Sequence, residues 1–330
     1  MREPGFWWRK AGLCSALLTP LALGYGAIAV RRMSKRGADC GLPVICVGNF
    51  TLGGTGKTPA AIMLADMLRA AGETPFCLTR GYGGSVSGPH VVDLDRDSAA
   101  MVGDEALLLA HAAWTVVGPN RVRGAQLAKA KGATVIVMDD GLQNASIAKD
   151  LTIAVIDGRR GIGNACVFPA GPLRAPLAAQ LARTDALMVV GDAVAAYDVV
   201  TMAGERPVLH ARLTPDEHAV TALRGRKVFA FAGIGDPEKF FKTVEDAGIE
   251  IARRKAFADH HRFDAEEAAE LVMAAEHETL TLLTTAKDHA RMTGDPALAA
   301  LAAKAQVLPV TMQVDEADAL RDLVLGAVRR

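Results

Sequence analysis

A lysine and a threonine behind a glycine-rich turn, Lys57-Thr58 after Gly53-Gly54-Thr55-Gly56, are the residues whose types and spacing point most directly to chemistry. Glycines in such a turn let backbone N–H groups converge on phosphate oxygens. The lysine then reaches the β- and γ-phosphates and the threonine hydroxyl holds Mg²⁺. Thr51, Leu52, Gly53, Gly54, Thr55, Gly56, Lys57 and Thr58 are therefore read as a nucleotide-binding loop, with Thr51 standing where the usual motif has glycine. The run Ala133-Thr134-Val135-Ile136-Val137-Met138 ends in Asp139-Asp140. A carboxylate at a strand tip beside a phosphate loop is where Mg²⁺ is met, so both aspartates join Thr58 as metal candidates.

Three further clusters end strands, the usual place for a site in an open α/β sheet. Thr79-Arg80-Gly81-Tyr82-Gly83-Gly84 brings a cation and an aromatic on a flexible loop. Gly103-Asp104-Glu105 opens a helix with two acids, which either complement the helix dipole or serve chemistry. Asp157-Gly158-Arg159-Arg160 through Pro169-Ala170-Gly171-Pro172-Leu173-Arg174 is a long loop whose arginines suit a second phosphate. Later, Asp259-His260-His261-Arg262-Phe263 is either a satisfied turn or part of a metal site, for which no other His/Cys cluster supplies ligands. Thr284-Thr285-Ala286-Lys287-Asp288 ends a strand in the same manner.

The elements that must position these residues follow from periodicity. From Pro43 onward, short apolar runs alternate with helical stretches, the pattern of a parallel sheet covered by helices. Strands are expected at 43–48, 75–79, 115–118, 134–138, 152–156 and 186–190, and helices at 57–71, 104–113, 120–131 and 176–183. The alternation lapses over 207–226, read as a linker. A second, smaller α/β unit then follows, with strands near 227–232, 250–257, 280–285 and 307–311 and helices near 237–247, 264–277 and 316–328. The expected organisation is an anchor segment 1–36, a P-loop domain 37–206, a hinge 207–226 and a C-terminal lobe 227–330.

Charge balance is even, with 37 basic and 37 acidic residues, so no global field recruits nucleic acid, and no protein partner is expected. The five cysteines are scattered without a C-x-x-C pair, which argues against a disulfide framework or a zinc site and suits reduced cytosolic thiols. The N-terminus is different. Residues 13–30 form an 18-residue run without a charge, between Trp7-Trp8-Arg9-Lys10 and Arg31-Arg32-Met33-Ser34-Lys35-Arg36. Tryptophans and basic residues at its ends match interfacial anchors. A cleaved signal would part the phosphate loop from ATP and would have to draw the basic block across the membrane. A buried core helix does not explain the flanks. A retained membrane anchor is expected; Pro20, Gly24 and Gly26 weaken a straight span, so a helix lying in the interface fits as well as one that crosses.

In their order along the chain these motifs resemble the tetraacyldisaccharide 4'-kinases, which phosphorylate the lipid A disaccharide precursor in Gram-negative bacteria. The resemblance spans nearly the whole chain. It rests on the apolar N-terminal segment, Val47 to Thr58, Arg80-Gly81-Tyr82-Gly83, Gly103-Asp104-Glu105, Asp139-Asp140-Gly141-Leu142-Gln143, Pro169 to Arg174, and Asp259-His260 with Phe263. Thr51 looks like this family's own version of the loop. Leu142-Gln143-Asn144, Ala175 and Ala286 depart from its usual Phe-Gln-His, acid and Thr-Glu-Lys-Asp, which leaves positions 144, 175 and 286 without a role.

The resemblance implies γ-phosphoryl transfer from ATP, with Mg²⁺, to the 4'-hydroxyl of an acylated disaccharide 1-phosphate at the cytoplasmic face of the bacterial inner membrane. It implies Asp104 as general base paired with His260, Lys57 as the neutralising cation, and Glu105 as a further metal candidate. Arg80, Tyr82, Arg121, Gln143 and Arg174 become substrate candidates, the arginines suited to the 1-phosphate. A membrane-bound partitioning-type ATPase switch, the alternative, needs a lysine immediately before the glycine pair, where this chain has Leu52. A phosphoesterase built on Asp259-His260-His261 lacks upstream acid and histidine ligands.

Overall fold

The computed structural model describes residues 3–329. Met1, Arg2 and Arg330, at the ends of the expected anchor segment and C-terminal lobe, lie outside them. Among the described residues thirteen strands form two sheets. In the large sheet β1 (Val44–Gly48), β2 (Pro75–Thr79), β3 (His90–Val91), β4 (Trp114–Val117), β5 (Val135–Asp139), β6 (Leu151–Asp157), β7 (Ala186–Val190) and β8 (Val208–Pro215) come first in the chain. The small sheet takes β9 (Lys227–Ala232), β10 (Glu250–Ala256), β11 (Thr281–Thr284) and β12 (Gln306–Val307), and β13 (Val310–Val314) returns to the large one.

The large sheet runs β13-β8-β7-β6-β1-β5-β2-β4-β3, parallel except for β13 and β3 at its two edges. Its central strands read as unbroken apolar runs because both faces are covered: every residue of β1, β2, β5, β6 and β7 is buried. On one face, helix Lys57–Ala70 packs Ala61, Leu64 and Leu68 onto Ile45, Val137 and Val155. On the other, Ala125 and Ala128 of helix Arg121–Ala130 cover Ile136 and Met138. With β1 between β5 and β6, Val47 is level with Asp139, so the glycine-rich loop leaves the sheet beside the acidic pair.

Two expectations change. Residues 207–226 form β8 and helix Glu217–Leu223, and β8 pairs with β7 as a full member of the large sheet. Half-buried residues with His210 and Arg212 between apolar ones hid this strand, because a strand with one wet face lacks the continuous apolar run of its neighbours. The expected strand at 307–311 divides: β12 closes the small sheet, whereas β13 pairs antiparallel with β8. Helix Ala317–Val328 then buries Leu320, Val324 and Ala327 in the cluster that holds Leu64. The C-terminal residues thus complete the first lobe, and the second lobe is an insertion between β8 and β13.

At the N-terminus a single helix, Leu13–Met33, continues through Pro20. Among the described residues it is the one helix long and apolar enough to cross a membrane, and only 17% of its most apolar window is buried. Gly26 lies over Pro176 and Val167, while Leu13, Leu17 and Leu21, four residues apart, form an exposed stripe. Ahead of it, Trp7 is buried with its indole N–H on the Pro169 carbonyl, so this segment is bonded to the loop that flanks the phosphate loop.

Candidate active site

The phosphate loop is shaped by its neighbours before any ligand arrives. Gly53 and Gly56 have φ near +99° and +95°, a left-handed backbone that side chains resist. A Cβ at Gly53 would also collide with the Glu3 carboxylate. The outer wall is the Pro169–Arg174 motif. Leu52 N–H donates to the Pro172 carbonyl at 2.8 Å, Arg174 N–H donates to the Phe50 carbonyl at 2.9 Å, and Arg174 Nε donates to the Thr51 carbonyl at 2.9 Å. Gln143 Nε2 donates to the Asn49 carbonyl and to Gln180 Oε1, both at 2.7 Å. Gln143, a substrate candidate from sequence, is thus engaged in bracing the start of the loop.

Lys57 opens its helix almost fully buried, with Nζ 3.8 Å from Asp140 Oδ1. Burial lowers its pKa, against the pull of Asp140. Arg174 Nη1 donates to both Asp140 oxygens, at 3.0 and 3.1 Å. Burial pushes the Asp140 carboxyl up, but Lys57 and Arg174 outweigh it and keep it below the ordinary carboxylate range. Asp139 has the opposite environment. It is 1% exposed, its Oδ2 lies 3.4 Å from the Thr58 hydroxyl, and its Oδ1 has no partner. Burial, Glu105 and Asp140 push its carboxyl up to about 7. A buried, orphaned carboxylate oxygen beside a threonine hydroxyl fits a hard cation that shares phosphate oxygens, which Mg²⁺ prefers to an all-protein cage. Among the described residues no cluster of three or more His, Cys, Asp or Glu forms such a cage.

The second lobe packs directly against the helix Asp104–Ala112, with Ala290 in the apolar cluster of Ala106 and Leu107. Gly103, at φ near +88°, starts that helix where a Cβ would strike the Tyr82 carbonyl. Asp104, 4% exposed, accepts the Glu105 N–H through Oδ1 at 2.9 Å. Its Oδ2 lies 3.4 Å from His260 Nδ1. His260 takes a left-handed backbone, φ near +54°, and donates its N–H to the Gly233 carbonyl, while its ring packs 5.1 Å from that of Tyr82. The pairing of Asp104 with His260 therefore spans two lobes 156 residues apart in sequence.

Two cations of helix Ala286–Met292 were not assigned from sequence. Lys287 Nζ lies 2.8 Å from Glu105 Oε1, and Arg291 Nη2 lies 2.6 Å from Asp104 Oδ2. The signal for Lys287 was the strand-ending Thr284–Asp288 cluster. Arg291, one turn further along a short helix, had none. Burial pushes the Asp104 carboxyl up, but His260, Arg291 and Lys287 outweigh it and hold it well below the usual range. Burial lowers Lys287, yet Glu105 and Asp104 raise it above an ordinary lysine.

The remaining sequence candidates divide. Arg80 is exposed on the loop after β2, and Tyr82 is 62% exposed beside His260. Arg121 is buried, with Nη1 on the Gly118 carbonyl and Nε unpartnered, and burial lowers its pKa to about 10 against the opposing pull of Asp139 and Asp140. At a second contact between the lobes, Asp236 of the second lobe lies 2.9 Å from Arg159 and 3.1 Å from Arg160, and Arg160 also binds Glu3 at 2.8 Å. A cavity of about 810 Å³ lined by Arg69, Pro75 and Trp114 opens at the other end of the sheet, away from these groups.

A family profile described as tetraacyldisaccharide-1-P 4'-kinase matches residues 14–329. The chain is 51% identical over 332 residues to a tetraacyldisaccharide 4'-kinase of Nitrobacter winogradskyi, spanning 100% of this chain and 98% of that protein. To the protein of that name from Bradyrhizobium diazoefficiens it is 55% identical over 296 residues, 89% of this chain and 88% of that one. Its backbone is similar to a crystal structure of an "apo" form of LpxK from Aquifex aeolicus in complex with ATP, with a TM-score of 0.74 and 25% identity over 96% of this chain and 100% of that one. The α/β architecture and the full-length match agree, and the chain belongs to the tetraacyldisaccharide 4'-kinase family.

Proposed function

We infer that this protein transfers the γ-phosphoryl group of ATP to the 4'-hydroxyl of tetraacyldisaccharide 1-phosphate, giving lipid IVA in lipid A biosynthesis. The observation that carries this reading is the gathering around Glu105 of Lys57 with Asp140, Thr58 with Asp139, and Asp104 with His260. Phosphoryl transfer asks a protein mainly for positioning, neutralised charge and a proton acceptor. The loop 51–58 cradles the phosphates, and Lys57 offsets the charge on the transferred group. Thr58 and Asp139 would hold Mg²⁺, with Glu105 close by, and the ion supplies charge neutralisation at the phosphates. Asp140, already paired with Arg174 and Lys57, acts as the counter-ion that sets the lysine in place.

In the transfer, the 4'-oxygen forms a bond to the γ-phosphorus as the bond from that phosphorus to the β,γ-bridging oxygen breaks. The hydroxyl proton passes to the Asp104 carboxylate, and His260 orients that carboxylate and shares its charge. ADP leaves with the bridging oxygen. Tyr82, exposed beside His260, and Arg80, exposed on the same loop, would meet the sugar, and Arg174 and Arg121 would be partners for phosphate. The leucine stripe and the basic flanks of helix Leu13–Met33 would seat the enzyme on the cytoplasmic face of the inner membrane, where an acylated acceptor is embedded.

The test is to incubate labelled ATP with the acylated disaccharide and follow the label. Transfer to lipid, reduced by about 10²–10⁴-fold in Asp104→Asn, is expected for a general base. Label that reaches only water would replace the kinase reading by an ATPase.

A further inference from the structure

One buried cation has no part in the transfer as written above. Arg291 is 7% exposed and aims both Nε and Nη2 at a single oxygen, Asp104 Oδ2, at 2.8 and 2.6 Å. Its third nitrogen, Nη1, donates to the Gly233 carbonyl and to Asp288 Oδ1, each at 2.7 Å. Asp288 is itself fully buried and fixed, accepting the Gly233 N–H at 3.1 Å on each oxygen and the Thr285 hydroxyl at 2.6 Å. The guanidinium plane is thus clamped by the second lobe along one edge and offers its other edge to a carboxylate of the first lobe.

We propose that Arg291 is a positioning residue for phosphoryl transfer, which fixes the Asp104 carboxylate from the second lobe so that the base is aligned only when that lobe is seated. This rests on the assignment of Asp104 as the base. Asp104 Oδ1 is tied to its own helix by the Glu105 N–H, and Arg291 holds Oδ2 with two convergent hydrogen bonds, so the carboxylate plane is pinned at both oxygens. His260, at 3.4 Å, is the looser of the two second-lobe partners. Lys287 and Glu105 pair with each other beside this cluster, and Asp288 neutralises the far edge of the guanidinium. A lysine at 291 could restore the charge but not the planar fork that sets the angle.

A purely structural ion pair would give a different result. Buried pairs often break even against apolar packing, and one that served only the fold would matter equally whether or not Asp104 could take a proton. The experiment measures kcat, KM for ATP and thermal unfolding for Arg291→Ala, Arg291→Lys, Asp104→Asn and the Arg291→Ala/Asp104→Asn pair in the full chain. Misplacing a catalytic group should lower kcat about 10²-fold in Arg291→Ala and less in Arg291→Lys, with KM for ATP little changed. Millimolar guanidinium ion should restore part of kcat in Arg291→Ala and none in Asp104→Asn. On the Asp104→Asn background, Arg291→Ala should cost about twofold or less.

Wild-type kcat in both Arg291 variants, or the full loss repeated on the Asp104→Asn background, overturns the proposal. Should Arg291→Ala not fold, Arg291→Lys decides: an unchanged kcat overturns it, and a lower kcat with unchanged unfolding supports it. Wild-type turnover in Asp104→Asn would instead overturn the base assignment, whatever Arg291 does.

Discussion

Asp139→Asn should stabilise the nucleotide-free protein while abolishing its activity, and the gain should grow with pH. The Asp139 carboxyl is buried with one oxygen unpartnered, and burial, Glu105 and Asp140 push it up to about 7, from about 3.9 in an unfolded chain. A folded value above the unfolded one means that the protonated form is the one the fold favours. Its contribution is therefore complete below the unfolded pKa and is lost as pH rises from about 4 through about 7. At ~1.4 kcal/mol for each tenfold difference in acidity, the loss reaches about 4 kcal/mol at most, shared with the neighbouring carboxylates. Asparagine keeps the shape and cannot ionise. Urea unfolding of both proteins without nucleotide, every half unit from pH 4.5 to 7.5, gives the difference in stability at each pH. That difference should rise in favour of the variant by about 2–4 kcal/mol across the window. A pH-independent offset, from the changed contact with Thr58, leaves the slope untouched. Two curves that stay parallel would refute the claim that Asp139 is a strained carboxylate waiting for a cation.

Two other outcomes test the frame around the site. Replacing Leu13, Leu17 and Leu21 by serine should cut partition onto lipid vesicles by about 10²-fold or more, since each exposed leucine can bury about 1.5–3 kcal/mol of apolar surface. Unchanged flotation would show that another surface holds the membrane. Leu320→Ala, at a fully buried position under the phosphate-loop helix, should cost about 2–5 kcal/mol in urea unfolding. A cost near zero would mean that the C-terminal helix is not part of the first lobe's core.

The phosphate loop and the acidic pair were legible because each lies where a run of buried residues stops. Val44 to Val47 and Val135 to Met138 are apolar throughout, as strands covered on both faces must be, and the polar residues that follow have to serve something. The pairing of Asp104 with His260 was legible only through likeness to a family, since 156 residues separate two clusters that are each ambiguous alone. Membership of a sheet was not legible for β8 and β13. Periodicity shows that a segment is extended but not which strand it will pair with, and β13 returns past a whole lobe to do so. The bracing contacts of Gln143 were not legible for a similar reason: an amide that supports a loop backbone and one that binds a sugar look alike in sequence. Arg291 on its short helix looked like any solvated cation, and burial against Asp104 is what distinguishes it.

The return of the last strand and helix to the large sheet also bears on how the protein is made. Helix Lys57–Ala70 emerges from the ribosome early, but the surface that covers Leu64 includes Leu320 and Val324, which are made much later. Roughly 250 residues of translation separate the two, about 12–50 s at 5–20 residues per second. During that interval the sheet behind the phosphate loop is open along one face. The nucleotide domain therefore closes only after β13 and the helix Ala317–Val328 have been made. Ribosomes stalled before residue 310 should carry a protease-sensitive phosphate loop.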